Sequence, residues 1–485
     1  MSEHLNNKGE KDDAPMTSTT DSLYAAREPI FPKRVKGPFR NLKWGIMLIT
    51  LGIYYVTPWL RWDRGANLPD QAVLVDLAGR RFYFFWIEIW PHEFYFVAGL
   101  LIMAALGLFL FTSALGRVWC GYSCPQTVWT DLFILVERWI EGDRNARVKL
   151  HRAAWSPRKV RLRLTKWTVW ILIGAATGGA WVFYFADAPT LASQFATLSA
   201  PPVAWATVAI LTATTFVFGG FMREQVCIYM CPWPRIQGAM MDDDTLTVAY
   251  RDWRGEPRGK ARDAGAGDCV DCMACVNVCP MGIDIRDGQQ MECITCALCI
   301  DACDDVMGKL GRDRGLIDYC AQSDRPQEMA GSKPRPVWQH ILRPRTLLYT
   351  AIWAAIGLAM TYALFIRPDI EMTVAAVRNP TFVTLSDGSV RNTYEVRLRN
   401  KHGEPRMFGL HVTDTLPLNL TVEGAAAEAV EVPADQTLKV RVYVTAPANS
   451  APATASEVPL RFWVEDLASG DRAYKNSHFN GPGAS

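Results

Sequence analysis

The sequence has almost no net charge, +2 from 51 Lys and Arg against 49 Asp and Glu over 485 residues, so no global basic field of the kind that gathers nucleic acid surrounds it. It has no Gly-rich phosphate loop of Walker type, no strand-linked Gly-x-Gly-x-x-Gly dinucleotide fingerprint and no H-E-x-x-H. Neither ATP hydrolysis nor a built-in nicotinamide site is indicated, so any electrons must arrive from another molecule. No early apolar stretch with a small-residue cleavage site follows the N-terminus, and a removable signal peptide is not expected. Cysteine is missing from everything after Cys320, which sets the last part of the chain apart from the chemistry upstream.

What is present points to a membrane. Eighteen Trp and several long apolar runs accompany a length too great for one ordinary domain. Residues 1–43 read as a cytoplasmic tail, polar up to Tyr24 and then basic through Lys33, Arg34, Lys36, Arg40 and Lys43. Trp44 to Leu60 follows as an uncleaved anchor, and four further runs, about 94–115, 167–185, 203–221 and 347–366, approach the roughly 20 apolar residues that a bilayer core requires.

The connection from Arg117 to Lys166 is rich in Lys and Arg, whereas Asp187 to Pro202 has none, which puts the former in the cytoplasm and the latter outside. The expected layout is then four transmembrane helices with loops over 44–222, a cytoplasmic segment over 223–345, a fifth helix over 346–366 and a periplasmic domain over 367–485. The aromatic stretch Phe82 to Trp90 reads as interfacial.

After Arg367 the apolar pattern changes to period two, as in Tyr394-Glu-Val396-Arg-Leu398-Arg and Leu460-Arg-Phe462-Trp-Val464-Glu, with turn formers between. That predicts an immunoglobulin-like antiparallel β-sandwich. Docking a partner and shielding the membrane part are both open as its role.

Eight of the 13 cysteines form two runs, Cys269-x2-Cys272-x2-Cys275-x3-Cys279 and Cys293-x2-Cys296-x2-Cys299-x3-Cys303, at about 260–310. This is the spacing of a bacterial two-cluster ferredoxin, in which three close thiolates hold three iron corners and the fourth reaches the other cluster. Cys269, Cys272, Cys275 and Cys303 are assigned to one [4Fe-4S] cluster; Cys293, Cys296, Cys299 and Cys279 are assigned to the other. Pro280 follows the first run, but Asp304 and Asp305 follow the second, a difference expected to alter the local turn and charge rather than the ligands.

Four more cysteines repeat a second pattern, Cys120-Gly-Tyr-Ser-Cys124-Pro125 and Cys227-Ile-Tyr-Met-Cys231-Pro232, each after an apolar run. In a helix, positions i and i+4 would place both sulfurs of a pair on one face, and the proline favours a break or a new helix start. Two pairs together offer four soft thiolates, a redox-competent set suited to Cu(I), with Met230 as an added thioether. Buried free thiols at proline-broken helix ends are the alternative. Cys320 reads as an inert thiol, and His92 and His151 as interfacial or solvated side chains.

The segment Ile30-Phe-Pro-Lys-Arg-Val-Lys-Gly-Pro-Phe-Arg-Asn-Leu-Lys-Trp44, the stretches Trp119-Cys-Gly-Tyr-Ser-Cys-Pro-Gln126 and Cys227-Ile-Tyr-Met-Cys-Pro-Trp-Pro-Arg235, the ferredoxin run and the closing sandwich together resemble the cytochrome c oxidase accessory protein family, known as CcoG, RdxA or FixG. The resemblance implies a bacterial inner-membrane cupric reductase needed for assembly of cbb3-type haem-copper oxidases. It further implies two [4Fe-4S] clusters on the eight ferredoxin cysteines and a redox or copper site at Cys120, Cys124, Cys227 and Cys231. The partners implied are a cytoplasmic electron donor and a copper chaperone or oxidase assembly factors, with homodimerisation also open. A quinol-linked electron-transfer subunit resembling NapH and NosR is the rival reading, and a copper-binding scaffold without turnover is a third.

Overall fold

The computed structural model describes residues 29–65, 68–263, 265–367, 370–413, 416–434 and 436–483. Most of the expected tail, residues 1–28, and the side chain of His92 lie outside what is described.

Three helices, Tyr95–Leu115, Pro202–Gly220 and Pro344–Phe365, are long and apolar enough to cross a membrane. Their apolar side chains point outward, as Leu101, Ile210, Leu358 and Phe365 do, an arrangement unfavourable in water and natural against lipid. The Pro38–Val56 and Pro157–Val182 helices cover two further expected runs but are not, by length and composition, among the helices apolar enough to cross a membrane. Each begins in basic turns continuous with its apolar part, and Arg40, Lys43, Lys159 and Lys166 are buried there.

The basic connection between Arg117 and Lys166 is itself folded. The Pro125–Glu141 helix packs against its neighbours through Phe133, stacked on Trp170 with ring centroids 5.1 Å apart. Glu137, at the buried end of that helix, meets Arg147 at 2.8 Å, Arg223 at 2.9 Å and Lys166 at 3.3 Å. Burial opposes its charge, but the three cations outweigh that and hold its carboxyl down to about 2. Arg147 and Lys166, two of the positive residues in the connection that suggested orientation, thus also tie their helices to the Pro125–Glu141 helix.

Phe82 to Trp90 folds as part of a three-stranded antiparallel sheet, Val73–Asp76, Arg81–Phe84 and Ile87–Ile89. Beyond the Pro344–Phe365 helix, two antiparallel sheets stack. One runs Asn419–Val422, Thr437–Ala446, Val390–Asn400, Ile370–Ala376, with Val383–Thr384 also paired to Val390–Asn400; the other runs Val430–Val432, Arg406–Val412, Glu457–Asp466, Arg472–Asn480. Burial alternates along Val390–Asn400, so Tyr394, Val396 and Leu398 enter the core opposite Phe408, Leu410, Phe462 and Val464. This is the expected immunoglobulin-like sandwich.

Candidate functional site: three sets of four cysteines

The chain gathers the eight cysteines of the two ferredoxin runs around two adjoining cavities. Cys269, Cys272 and Cys275 come from one loop and its short Ala274–Val278 helix, and Cys303 comes from the Leu298–Leu310 helix; together they line one cavity walled by Tyr250, Met307, Leu316 and Ile317. Cys293, Cys296 and Cys299 line the other with Cys279, and Cys275 stands between the two. The exchange of each run's fourth cysteine follows from chain direction, since the single helical turn after Cys275 carries Cys279 away from its own loop.

Local backbone supports a cluster in each cavity. Asp271 and Met273 flank Cys272 with φ of 50° and 56°, and Thr295 and Ala297 flank Cys296 with φ of 54° and 58°. Left-handed residues at matching places in the two loops turn successive amides inward, the concave arrangement that receives anionic sulfur. Backbone amides of Met281 and Ile283 reach Cys279, and that of Thr295 reaches Cys293. Burial pushes the Cys303 thiol up to about 12 and the Cys275 thiol up to about 11, so these sulfurs ionise only when a cation supplies compensating charge. Eight soft donors in dry, amide-lined cavities fit iron–sulfur clusters.

The third set lies beside the second cavity. Cys120 sits in the one-turn Val118–Tyr122 helix, while Cys124 is extended and precedes the Pro125–Glu141 helix, whose Thr127 and Val128 amides donate to its carbonyl. Cys227 lies in a widened turn, Val226–Met230, and Cys231 is again extended before the Trp233–Met240 helix. The new helix start at each proline is seen, but neither pair shares one continuous helical face, because Cys124 and Cys231 have left the helix. All four thiols nevertheless lie within electrostatic reach: burial pushes Cys227 up to about 12, with Cys124, Cys120 and Cys231 adding to the rise. Among the described residues, no three His, Cys, Asp or Glu side chains converge closely enough to hold a single metal ion.

Cys120 and Cys227 pack against the same buried group as Cys296, Ile294 and Leu298. At Gly121 the fit is so close that a Cβ would stand 2.5 Å from the Ile294 carbonyl oxygen and 3.0 Å from Cys296 Cα. Tyr122 Oη donates to the Cys296 carbonyl at 3.2 Å, and Tyr319 Oη donates to the Thr295 carbonyl at 3.0 Å. Cys320 stands apart, on the Ile317–Cys320 strand paired with Thr247–Tyr250.

Several residues here carry no sequence signature. Buried Arg117 donates to the Met291 carbonyl and stands near Cys120, Cys227 and Cys293. Arg286, bound to Asp284 and to Asp271 at 2.6 Å each, reaches the Cys269 side. Gln237, fully buried, accepts from Cys120 Sγ at 3.1 Å.

The basic segment before Trp44 also does more than lead into an apolar run. Lys33 N donates to the Asn277 carbonyl at 2.7 Å, the amides of Phe39 and Arg40 donate to Asp301, and the Arg40 guanidinium pairs with Asp131 at 2.9 Å. It straps the cysteine-rich segment to the Pro125–Glu141 helix. A run of arginines and lysines gives no hint of which ones will be buried against a carboxylate.

Comparison with known proteins agrees with this architecture. Residues 222–322 match a 4Fe-4S dicluster domain, residues 97–144 a 4Fe-4S binding domain, and residues 360–482 the IG-like fold at the C-terminus of FixG. The chain is 66% identical to Protein RdxB of Cereibacter sphaeroides over 96% of its length and 98% of the relative's. It is 64% identical to Protein RdxA of the same organism, over 92% and 95%, and 54% identical to the nitrogen fixation protein FixG of Rhizobium meliloti, over 95% and 94%. With two cysteine-lined cavities, apolar helices and a closing sandwich shared over nearly the whole length, the chain belongs to the CcoG/RdxA/FixG family and is an iron–sulfur electron-transfer protein of the RdxA/FixG type.

Proposed function

We propose that the protein is a membrane-bound cupric reductase that supplies Cu(I) for assembly of a cbb3-type oxidase. In this reading five helices span the bacterial inner membrane, with residues 223–345 in the cytoplasm and residues 367–485 in the periplasm. Cys269, Cys272, Cys275 and Cys303 hold one [4Fe-4S] cluster and Cys279, Cys293, Cys296 and Cys299 the other. When bound, such clusters supply one-electron transfer at a potential set by their surroundings.

The observation that carries the reading is the adjacency of three cysteine sets between an exposed end and the membrane edge. Cys272 is exposed, which gives a cytoplasmic donor a docking edge, whereas the second cavity, where Cys296 is buried, abuts Cys120 and Cys227. Arg117 and Tyr122 hold the two sites in register. Cu(II) needs one electron and no proton, and the product Cu(I) prefers thiolate and thioether carriers, so its release to a copper chaperone or assembly factor is favourable. Cys120, Cys124, Cys227 and Cys231 form the redox-active edge at which that electron is delivered, with Met230 exposed beside them.

The test is reoxidation of the anaerobically reduced protein by Cu(II). Spectral reoxidation matched by Cu(I) formation, slowed in Cys120→Ala/Cys124→Ala and Cys227→Ala/Cys231→Ala variants, is expected. Reduced protein that ignores Cu(II) but reacts with quinone would replace the copper role with a quinol-linked one. Copper bound without any reoxidation would leave a scaffold.

A further inference from the structure

We propose that Cys120, Cys124, Cys227 and Cys231 together hold a third four-iron cluster at the membrane edge. The inference rests on reading this set as redox-active and adds what it contains.

Three observations converge. The four thiols are gathered from two separate chain segments, each delivering one cysteine from a helical turn and one from the extended residue before a proline-started helix. The two pairs act on each other, since Cys124, Cys120 and Cys231 all bear on the Cys227 thiol. Their spacing is the second point. A single tetrahedral ion draws its thiolates to about 2.3 Å from one centre and so to close mutual contact, whereas a cubane keeps each thiolate on its own corner. No three of the described metal-binding side chains meet the closer requirement, and the eight cysteines around the two ferredoxin cavities do not meet it either. In this respect the membrane-edge set is like the two ferredoxin sets.

The surroundings favour an anionic cluster. Arg117 is 3% exposed, its Nε has no hydrogen-bond partner, and its positive charge acts on Cys120, Cys227 and Cys293. A buried cation with an unmet donor, set among sulfurs, calls for a negative group. Gln237 adds a fully buried amide at 3.1 Å from Cys120 Sγ, able to turn its Nε2 donor toward a thiolate. Residues 97–144, which include Cys120 and Cys124, match a 4Fe-4S binding domain although they hold only that pair. The partner pair, Cys227 and Cys231, completes the ligand count.

The test is iron and acid-labile sulfide per chain in the full-length protein, purified anaerobically in detergent and measured without copper. About twelve iron atoms are expected in the wild type, falling to about eight in both Cys120→Ser/Cys124→Ser and Cys227→Ser/Cys231→Ser and unchanged in Cys320→Ser. About eight in the wild type overturns the inference, as does a loss of about two in the paired variants, which would mean a two-iron centre. Should the variants misfold, the wild-type count alone decides. A wild type with about eight iron atoms that still reduces Cu(II) removes the third cluster and leaves the reductase standing. About twelve without Cu(II) reduction does the reverse.

Discussion

The C-terminal sandwich and the cysteine-rich segment are of similar size and are built on opposite principles. The sandwich buries a continuous core of Tyr394, Val396, Leu398, Phe408, Val442, Phe462 and Phe479, closed by antiparallel ladders, and contains no cysteine. Among its described residues the cysteine-rich segment has one sheet, the two-stranded Thr247–Tyr250 and Ile317–Cys320 pair, with short helices, and sulfurs make up much of its core. One region is held by apolar burial and the other by groups that need metal before their burial is favourable. The strap from Lys33 to Arg40 compensates in part, since it ties the cysteine-rich segment to the Pro125–Glu141 helix.

The sharpest way to break this contrast is to remove iron anaerobically from the whole protein. Amide exchange protection is expected to vanish across residues 269–303 and to persist across residues 390–464, so a cysteine-rich segment that stays protected would refute the metal dependence. Next in size, Cys303→Ser is expected to lose the cluster shared with Cys269, Cys272 and Cys275, whereas Cys279→Ser loses the one shared with Cys293, Cys296 and Cys299. Spectroscopy that distinguishes the two would show the opposite pattern if each run held its own cluster.

Phe462→Ala leaves a cavity in a fully buried core and should lower sandwich stability by about 3–5 kcal/mol with iron content unchanged. Calorimetry with parallel iron analysis checks both halves of that statement.

Glu137→Ala strips Arg147, Arg223 and Lys166 of their shared carboxylate and should cost about 3 kcal/mol, read as a lower unfolding temperature of the membrane part. Because the folded carboxyl is held near 2 against an ordinary 4.5, its stabilisation is fully present above the ordinary value and is lost as pH falls from there toward about 2. The variant should lack that part of the acid sensitivity; an unchanged acid profile would argue against the network.

The smallest effect is expected at Arg286, a cation beside the first cavity that is already paired with Asp271 and Asp284. Arg286→Gln should move the potential of the adjacent centre to more negative values and leave the other unchanged in a redox titration. A shift of both together would mean a general loosening.

Much of this was legible in advance because cysteine spacing and strand alternation are local patterns. The crossing of Cys279 and Cys303 between cavities follows from short loops, and the sandwich strands follow from alternation in residues such as 394–398. The condition for a shared helical face at Cys120 and Cys124 is not met, because the residue before a proline is disfavoured in the helical region and Cys124 is extended, while the expected new helix starts at Pro125. The helices begin ahead of the apolar runs at Trp44 and Trp167, since Arg40 and Lys166 are matched by distant carboxylates and can be buried.

The sequence by itself determined the cofactor class, the apolar helices and the sandwich, because each depends on spacing within one short stretch. Only the tertiary structure decided that two C-x3-C-P turns meet beside the second cavity, that Arg117 sits among their sulfurs, and that the basic strap grips Asp301 and Asp131. Those contacts join residues far apart along the chain, and they exist only once helix packing has brought the opposite charges and close-fitting glycines together.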